Sequence, residues 1–259
     1  MVNVDEALQR LIAEERLGAV FTAVEGDRVG QRVVYDYDDG VVAGTLVPSE
    51  ALVADAKQLM DREQNLTLTY GDESVFVETI GPPPRLLIFG AVHIAQALCA
   101  LGTQLGYRVS VSDAREAFAT RERFPDAHEL LLGWPDELGE KLVIDRRTFV
   151  VLLSHDARFE DPVLPMLMAS DAKYIGAMGS RRTAAMRRDR LAAAGYSEAD
   201  IARIHGPVGI DIGAETPEET AISILAEMIQ VRYGSGNGAS LTGRAGRIHL
   251  QRTDDPGDV

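Results

Sequence analysis

The chain has 259 residues, a hydrophobic content of 46% and a formal net charge of −14. This length predicts one large or two modest globular domains. The acidic balance argues against nucleic acid as a partner, because a nucleic-acid-binding surface needs a basic footprint. No segment reaches the ~18 uninterrupted apolar residues that span a bilayer. The acidic N-terminal segment also lacks the basic start of a signal peptide, so we expect a cytoplasmic protein without a membrane partner.

Residues 1–80 predict a small α+β domain. An amphipathic helix is expected over residues 3–17, and strands flank a second helix at residues 50–62. Asp38-Asp39-Gly40 and Gly71-Asp72 are turn signals between strands, so they predict two hairpins. Residues 81–84 include three consecutive prolines. Such a stretch is stiff and extended, and it marks the boundary to a second domain.

Residues 85–234 alternate apolar strands with helices. We expect strands at 86–89, 109–112, 129–132, 149–153 and 174–177, and helices at 93–105, 162–169 and 181–194. This alternation predicts an α/β domain with a Rossmann-like, doubly wound parallel sheet. A last helix should begin at Thr216 and run to about residue 233, because Thr216 and Glu219 form a capping box. Residues 235–259 are expected to be a flexible tail.

The first strand–helix turn, Gly90 to Ala95, departs from the dinucleotide-binding pattern G-x-G-x-x-G/A. Gly90 permits the tight turn, but Val92 stands where the middle glycine would let a pyrophosphate approach. NAD(P) is therefore disfavoured, although the turn, with His93 at the helix start, can still face another ligand. Asp113 ends the second strand, where an acid would bind a ribose hydroxyl; capping the following turn is the alternative.

A second candidate site is the segment YIGAMGSRRT, residues 174–183. It predicts a strand, a turn containing Gly176, Gly179 and Ser180, and a helix that begins with Arg181 and Arg182. Cations at a helix N-terminus oppose the helix dipole, so an anion held by the free N–H groups and the arginines would offset them. The alternative is that both guanidinium groups simply point into water.

Two further loops are expected at the same edge of the sheet. His155 and Asp156 follow the fourth strand and could carry a proton or contact a ligand; a strand-terminal turn is the alternative. Asp211 lies between two glycines ahead of the last helix. Because ligands bind at the carboxyl ends of parallel strands, we expect these loops to form one crevice for a phosphate-bearing ligand.

Three motifs together resemble the XdhC/CoxI family: LIFGAVHIAQAL at residues 87–98, YIGAMGSRRT at 174–183 and GPVGIDIGAETPEETAISILAEMI at 206–229. The resemblance is strong over residues 75–233 and weak before them. It implies an accessory factor that binds molybdenum cofactor and assists its insertion into a molybdenum hydroxylase apoprotein, such as xanthine dehydrogenase or carbon monoxide dehydrogenase. It also implies a homodimer, and a cofactor-binding chaperone rather than a catalyst. The phosphate of the pterin cofactor suits the expected anion site.

The chain departs from this family in two places. Val92 replaces a usual glycine, and residues 44–56, GTLVPSEALVADA, lack the cysteine of the GGCVE-like motif that many relatives carry. Any sulfur would therefore come from a separate cysteine desulfurase. The single cysteine, Cys99, is expected to be a buried structural thiol on the first helix of the Rossmann-like domain. One cysteine and five isolated histidines predict no metal site.

Two other functions stay open at this point. A nicotinamide-dependent oxidoreductase would have to tolerate Val92 and use His155 as its catalytic acid. A regulatory module would sense a nucleotide through the same domain without performing chemistry.

Overall fold

The structure is a computed structural model that describes residues 3–139, 142–154 and 157–243. The described chain divides into two compact units. One contains residues 3–82 together with 239–243, and the other is Pro83–Gly238. Residues 244–259 of the expected tail lie outside the described residues. No helix in the described ranges is long and apolar enough to cross a membrane.

The first unit is a five-stranded antiparallel sheet with two helices. Its elements, in chain order, are α1 (Val4–Ala13), β1 (Gly18–Glu25), β2 (Arg32–Asp36), β3 (Gly40–Gly44), α2 (Glu50–Asp61), β4 (Leu66–Tyr70) and β5 (Glu73–Ile80). The sheet order is β3-β2-β1-β5-β4. Helix α1 is shorter than the expected residues 3–17, because the backbone turns into the left-handed region at Glu15, with φ +53°.

The two helices of this unit cover opposite faces of the sheet. Side chains of β1 alternate, so Phe21 packs with α2 while Val20 packs with α1. Ser49 caps α2 by accepting a hydrogen bond from the backbone N–H of Leu52 at 3.2 Å. Both faces of a short sheet are thereby buried, which gives a small unit more apolar burial than a single covered face would.

The second unit is a six-stranded parallel sheet between two layers of helices. Its elements are β6 (Arg85–Phe89), α3 (His93–Gln104), β7 (Arg108–Asp113), β8 (Glu129–Leu132), α4 (Pro135–Leu138), β9 (Thr148–Leu152), α5 (Ala157–Met168), β10 (Tyr174–Ala177), α6 (Arg181–Ala193), α7 (Glu198–Ile201), β11 (Ile204–His205) and α8 (Pro217–Tyr233). Helices α3 and α8 cover one face, and α4 to α7 contribute to the apolar cluster on the other. The predicted α/β fold class with a doubly wound sheet is confirmed.

The strand order, β11-β10-β9-β6-β7-β8, reverses direction between β6 and β9. From β6 the chain first builds outward through β7 and β8, and then returns to place β9 on the other side of β6. Phe89 and Leu152 are paired at the ends of these two strands. Such a switch point leaves a crevice at the carboxyl ends of the two strands, where doubly wound folds bind ligands.

In the second unit, three short elements and one helix start differ from the sequence prediction. Helix α5 begins at Ala157 and contains Pro162 and Pro165, whereas the sequence predicts a start at Pro162. Elements α4, α7 and β11 are not predicted, because stretches of two to four residues are too short to show a periodic apolar pattern. Ser197 nevertheless opens α7 with a capping box to Asp200, which is a readable local signal.

Candidate functional site

A crevice opens at the switch point, above the carboxyl ends of β6, β7 and β9. It holds about 300 Å³ of empty space, part of which is open solvent. Backbone and small side chains form much of its wall, and two carboxylates border it. The described lining residues are Phe89, Gly90, Ser112, Asp113, Ala114, Gly133, Leu152, Ser154 and Glu160.

Gly90 shapes the turn between β6 and α3. Its φ is +105°, in the region that favours glycine, and a Cβ there would approach the backbone N of Ser154 to 3.4 Å. Val92 takes the N-cap position of α3 without making a side-chain cap, and it packs half-buried against the apolar cluster under the helix. His93 begins α3 and is exposed. The turn therefore lacks the glycine of the dinucleotide pattern, but the Val92 side chain packs toward the core and is not among the described residues that line the crevice, contrary to the expectation that it would occupy the ligand space.

Asp113 ends β7 and is buried, with a side-chain exposure of 1%. Its Oδ2 accepts from the N–H of Ala91 at 2.8 Å, which ties the glycine turn to the end of β7. Its Oδ1 accepts from the N–H of Arg115 at 3.0 Å. This bond caps the turn after β7, the alternative role that the sequence analysis gave to Asp113. Burial raises the pKa of Asp113, but the hydrogen bonds from Arg115 and Ala91 outweigh it and hold the pKa below its usual range.

The second candidate segment forms the predicted strand, turn and helix. A Cβ on Gly176 would lie 2.6 Å from Val208 and 2.7 Å from Tyr174, so close packing alone requires this glycine. Gly179 has a φ of +145°. Ser180 caps α6, and its Oγ accepts from the N–H of Thr183 at 3.1 Å.

Arg181 and Arg182 are both exposed at the start of α6. Within the part of the chain that the structure describes, neither guanidinium has a hydrogen bond or an ion pair. They do not line the crevice at the switch point, and neither does Asp211, which is exposed in the loop before α8. The structure thus brings Gly90 and Asp113 together with Ser154, and places the arginine pair at the neighbouring strand end.

A buried ion pair, which the sequence analysis missed, joins the crevice to the arginine helix. Arg187 of α6 donates to Glu160 of α5 through Nε at 3.1 Å and Nη2 at 2.6 Å, and both side chains are at most 3% exposed. Arg187 Nη2 also donates to the carbonyl of Met178 in the glycine-rich turn, at 3.0 Å. Glu160 borders the crevice, so this pair connects its floor to the turn that precedes Arg181.

A sequence signal for Arg187 exists. The buried positions of α6 are Ala184, Arg187 and Leu191, at spacings of three and four, so Arg187 stands on the core-facing stripe of the helix. A charged residue on that stripe requires a buried partner. Only Arg181 and Arg182 of this helix were considered in the sequence analysis, and Arg187 was not examined.

The loop before α8 is fixed by a second polar cluster that the sequence analysis did not identify. Glu227 accepts from the Tyr174 hydroxyl at 2.5 Å and from the Gly209 N–H at 2.8 Å, and its other oxygen lies 3.1 Å from Nδ1 of His205. Burial raises the pKa of Glu227, but the three hydrogen bonds outweigh it and lower the pKa. Gly209 is required here, since a Cβ would meet Ser223 Oγ at 2.4 Å.

Three further sequence predictions concern Cys99, His155 and Asp156. Cys99 is 1% exposed and packs in the apolar cluster under α3, so its predicted burial is confirmed. His155 and Asp156 lie outside the described residues, and their roles stay predictions. Across residues 3–139, 142–154 and 157–243, no group of three or more histidine, cysteine or acidic side chains could hold a metal ion.

The fold and the crevice define a Rossmann-type α/β domain in the same chain as a smaller α+β unit. A family model described as the XdhC Rossmann domain matches residues 86–228, more than half of the chain. The chain belongs to the XdhC family.

Three curated bacterial proteins are similar to this chain. The uncharacterized protein YqeB of Escherichia coli K12 is 35% identical over 65% of this chain and 31% of its own length. A protein of Bacillus subtilis 168 named as a probable subunit of xanthine dehydrogenase is 33% identical over 61% of this chain and 46% of its own. The molybdenum cofactor insertion chaperone PaoD of Escherichia coli K12 is 33% identical over 58% of this chain and 41% of its own length. The matches thus span less than half of each relative.

A solved structure shares the fold. The crystal structure of a xanthine dehydrogenase from Bacillus halodurans superposes with a TM-score of 0.52, covering 86% of this chain and 92% of that one. Its sequence identity is 20%, so this likeness concerns the fold alone.

Proposed function

We propose that this protein is a maturation factor for a molybdenum hydroxylase of the xanthine dehydrogenase or carbon monoxide dehydrogenase type. It binds molybdenum cofactor as cargo and assists its insertion into the apoprotein, without catalysing a reaction itself. Two similar proteins support this role, since one is named a molybdenum cofactor insertion chaperone and the other a probable subunit of xanthine dehydrogenase. The supporting observation in this chain is the exposed arginine pair at the start of α6.

The start of α6 has the donors that a phosphate monoester needs. The first N–H groups of a helix have no intrahelical partner. Ser180 takes one of them, at Thr183, and the N–H groups of Arg181 and Arg182 make no hydrogen bond within the described residues. Two exposed guanidinium groups and two backbone donors therefore lie together, in a chain whose net charge is −14. A bound phosphate would offset the unfavourable interaction of the arginines with the helix dipole.

The crevice at the switch point, which is separate from the start of α6, is a poor dinucleotide site, and this counts against the oxidoreductase alternative. Val92 stands in place of the glycine that the pyrophosphate turn requires, and Asp113, at the ribose-binding position, is engaged in internal hydrogen bonds. The buried thiol of Cys99 also fits a chain that holds cofactor without carrying sulfur, so that a separate cysteine desulfurase would supply any sulfido ligand. The working form we propose is a cytoplasmic homodimer that meets the hydroxylase apoprotein.

The test is equilibrium binding of molybdenum cofactor, freshly released from a denatured molybdenum enzyme, to the full chain. Charge-assisted hydrogen bonds contribute roughly 1.5–3 kcal/mol each. Arg181→Ala or Arg182→Ala should therefore weaken binding by about ten- to a hundredfold, with little change in melting temperature. Arg188→Ala is the matched control, since Arg188 is exposed on the same helix but paired with Glu198. Equal affinity of the control and both variants would show that the anion site lies elsewhere.

A further inference from the structure

The acid at the end of the second strand of a Rossmann-type sheet is where a dinucleotide fold binds its ribose hydroxyls. In this chain that residue is Asp113, the last residue of β7, and it borders the crevice. A carboxylate can bind a ribose hydroxyl only through an acceptor position that is not already used. The hydrogen bonds of Asp113 therefore decide whether this subsite is open.

All acceptor positions of Asp113 are occupied. An ionised carboxylate has about four of them, two on each oxygen. Oδ1 accepts from the N–H and Nε of Arg115, at 3.0 and 2.8 Å. Oδ2 accepts from Nη2 of Arg115 at 2.7 Å and from the N–H of Ala91 at 2.8 Å. A ligand hydroxyl would have to displace one of these donors.

Arg115 is held in this position by more than the carboxylate. Its guanidinium carbon lies 4.0 Å from the centre of the Phe118 ring, a cation–π contact. The two parallel bonds from Nε and Nη2 to the two oxygens form the bidentate geometry that arginine favours with carboxylates. The side chain of Arg115 is 47% exposed, whereas that of Asp113 is 1% exposed, so the arginine covers the acid.

We propose that Arg115 is a specificity-determining residue that closes the ribose-diol subsite of the crevice. It does so by occupying the carboxylate that a ribose 2′-hydroxyl would otherwise bind. With Val92 in place of the turn glycine, the chain departs from the dinucleotide pattern at two independent positions, the pyrophosphate turn and the ribose-binding acid. This inference rests on the contacts of Asp113 and does not depend on the proposed function.

The experiment uses ADP-ribose and 2′-deoxy-ADP-ribose as probes, with binding to the full chain measured by calorimetry. Val92→Gly provides the background, because it restores the glycine of the dinucleotide-binding turn. In that background, Arg115→Ala should raise the affinity for ADP-ribose about ten- to a hundredfold, because the freed carboxylate can accept a hydrogen bond from the ribose 2′-hydroxyl. The gain should be absent for the 2′-deoxy probe. Arg123→Ala is the matched control, since Arg123 contacts the same Phe118 ring without bonding Asp113.

Arg115→Met is a second variant, because methionine can still pack on Phe118 but donates nothing to Asp113. A further measurement needs no change at Arg115: the Val92→Gly chain should bind the two probes equally, since its carboxylate is occupied. The proposal is overturned if that chain prefers the ribose probe by tenfold, or if neither Arg115 variant gains affinity. It is also overturned if the gain is the same for both probes, or if 2′-phospho-ADP-ribose binds the unaltered chain tightly through Arg115.

Discussion

Val92 and Asp113 show how far single residues can be interpreted from sequence. The substitution of a glycine by Val92 is visible in the motif, because the role of that glycine is geometric and any side chain interferes with it. The two roles of Asp113, ribose binding and turn capping, predict the same residue at the same place. Only the position of Arg115, which bonds both carboxylate oxygens, separates them.

Cys99 is predicted to be unreactive in the folded protein. Burial raises the pKa of its thiol to about 11, so the thiolate, which is the nucleophile, is scarce at pH 8. Alkylation by iodoacetamide at pH 8 should be at least tenfold slower than in urea-unfolded chain. Because the thiol pKa is higher in the folded chain than in the unfolded chain, where it is about 8.5, the protonated thiol favours folding. This contribution to the free energy of unfolding is fully present below about pH 8.5 and is lost as the pH rises toward 11.

The matched pair for this residue is Cys99→Ala and Cys99→Ser. The serine hydroxyl would be buried among apolar side chains and should lower the free energy of unfolding by about 1–3 kcal/mol. Alanine should be milder, and neither change should abolish cofactor transfer. Rapid labelling of the native chain, or a stable persulfide on Cys99 after incubation with a cysteine desulfurase, would contradict a structural role.

The start of helix α6 could be predicted from the sequence, but its buried packing could not. Its start was predictable, because Ser180 caps it and the apolar strand before it ends in a glycine-rich turn. Its packing was not, because five arginines obscure a buried stripe of Ala184, Arg187 and Leu191. The partner of Arg187, Glu160, lies on a different helix, and no local pattern links the two positions.

The Glu160–Arg187 pair is predicted to stabilise the packing of α5 against α6 and the turn before Arg181. Arg187→Met leaves a buried carboxylate without its main partner and removes the donor to the Met178 carbonyl. Breaking a buried pair in this way costs about 3–5 kcal/mol. Arg188→Ala, which loses only an exposed pair with Glu198, should cost about 0–1 kcal/mol. Urea unfolding monitored by circular dichroism measures both.

The double variant Glu160→Leu/Arg187→Met separates packing from charge. It removes the buried carboxylate, which in Arg187→Met keeps only the 3.2 Å bond from the partly exposed Arg190, so it should be more stable than Arg187→Met alone. If the single variant unfolds with the same midpoint as the unaltered protein, the pair does not stabilise the helix packing.

For the protein as a whole, the sequence predicted the α/β class and the edge of the sheet where a ligand would bind. Apolar strands buried on both faces, such as β6 and β9, are unambiguous, and their carboxyl ends must meet at one edge. Which loops form the crevice was less predictable. Gly90 and Asp113 line it, whereas Arg181, Arg182 and Asp211 lie outside the described lining, because β10 and β11 stand farther from the switch point.

The proposed function involves two parts of the Rossmann-type domain, the switch-point crevice and the start of α6. At the switch-point crevice, Arg115 occupies the carboxylate of Asp113, and the start of α6 offers donors for an anionic group. A maturation factor needs an affinity that protects the cofactor and still releases it. A micromolar dissociation constant, about −8 kcal/mol, meets both requirements.

The most direct measurement is the activity and cofactor content of the molybdenum hydroxylases in a native host that lacks this gene. Complementation with the unaltered gene should restore both, and complementation with the Arg181→Ala/Arg182→Ala double variant should restore neither, although that chain is folded and present at the same level. We predict hydroxylases depleted of cofactor and activity in the deletion strain. Full activity with full cofactor content in that strain would contradict the account.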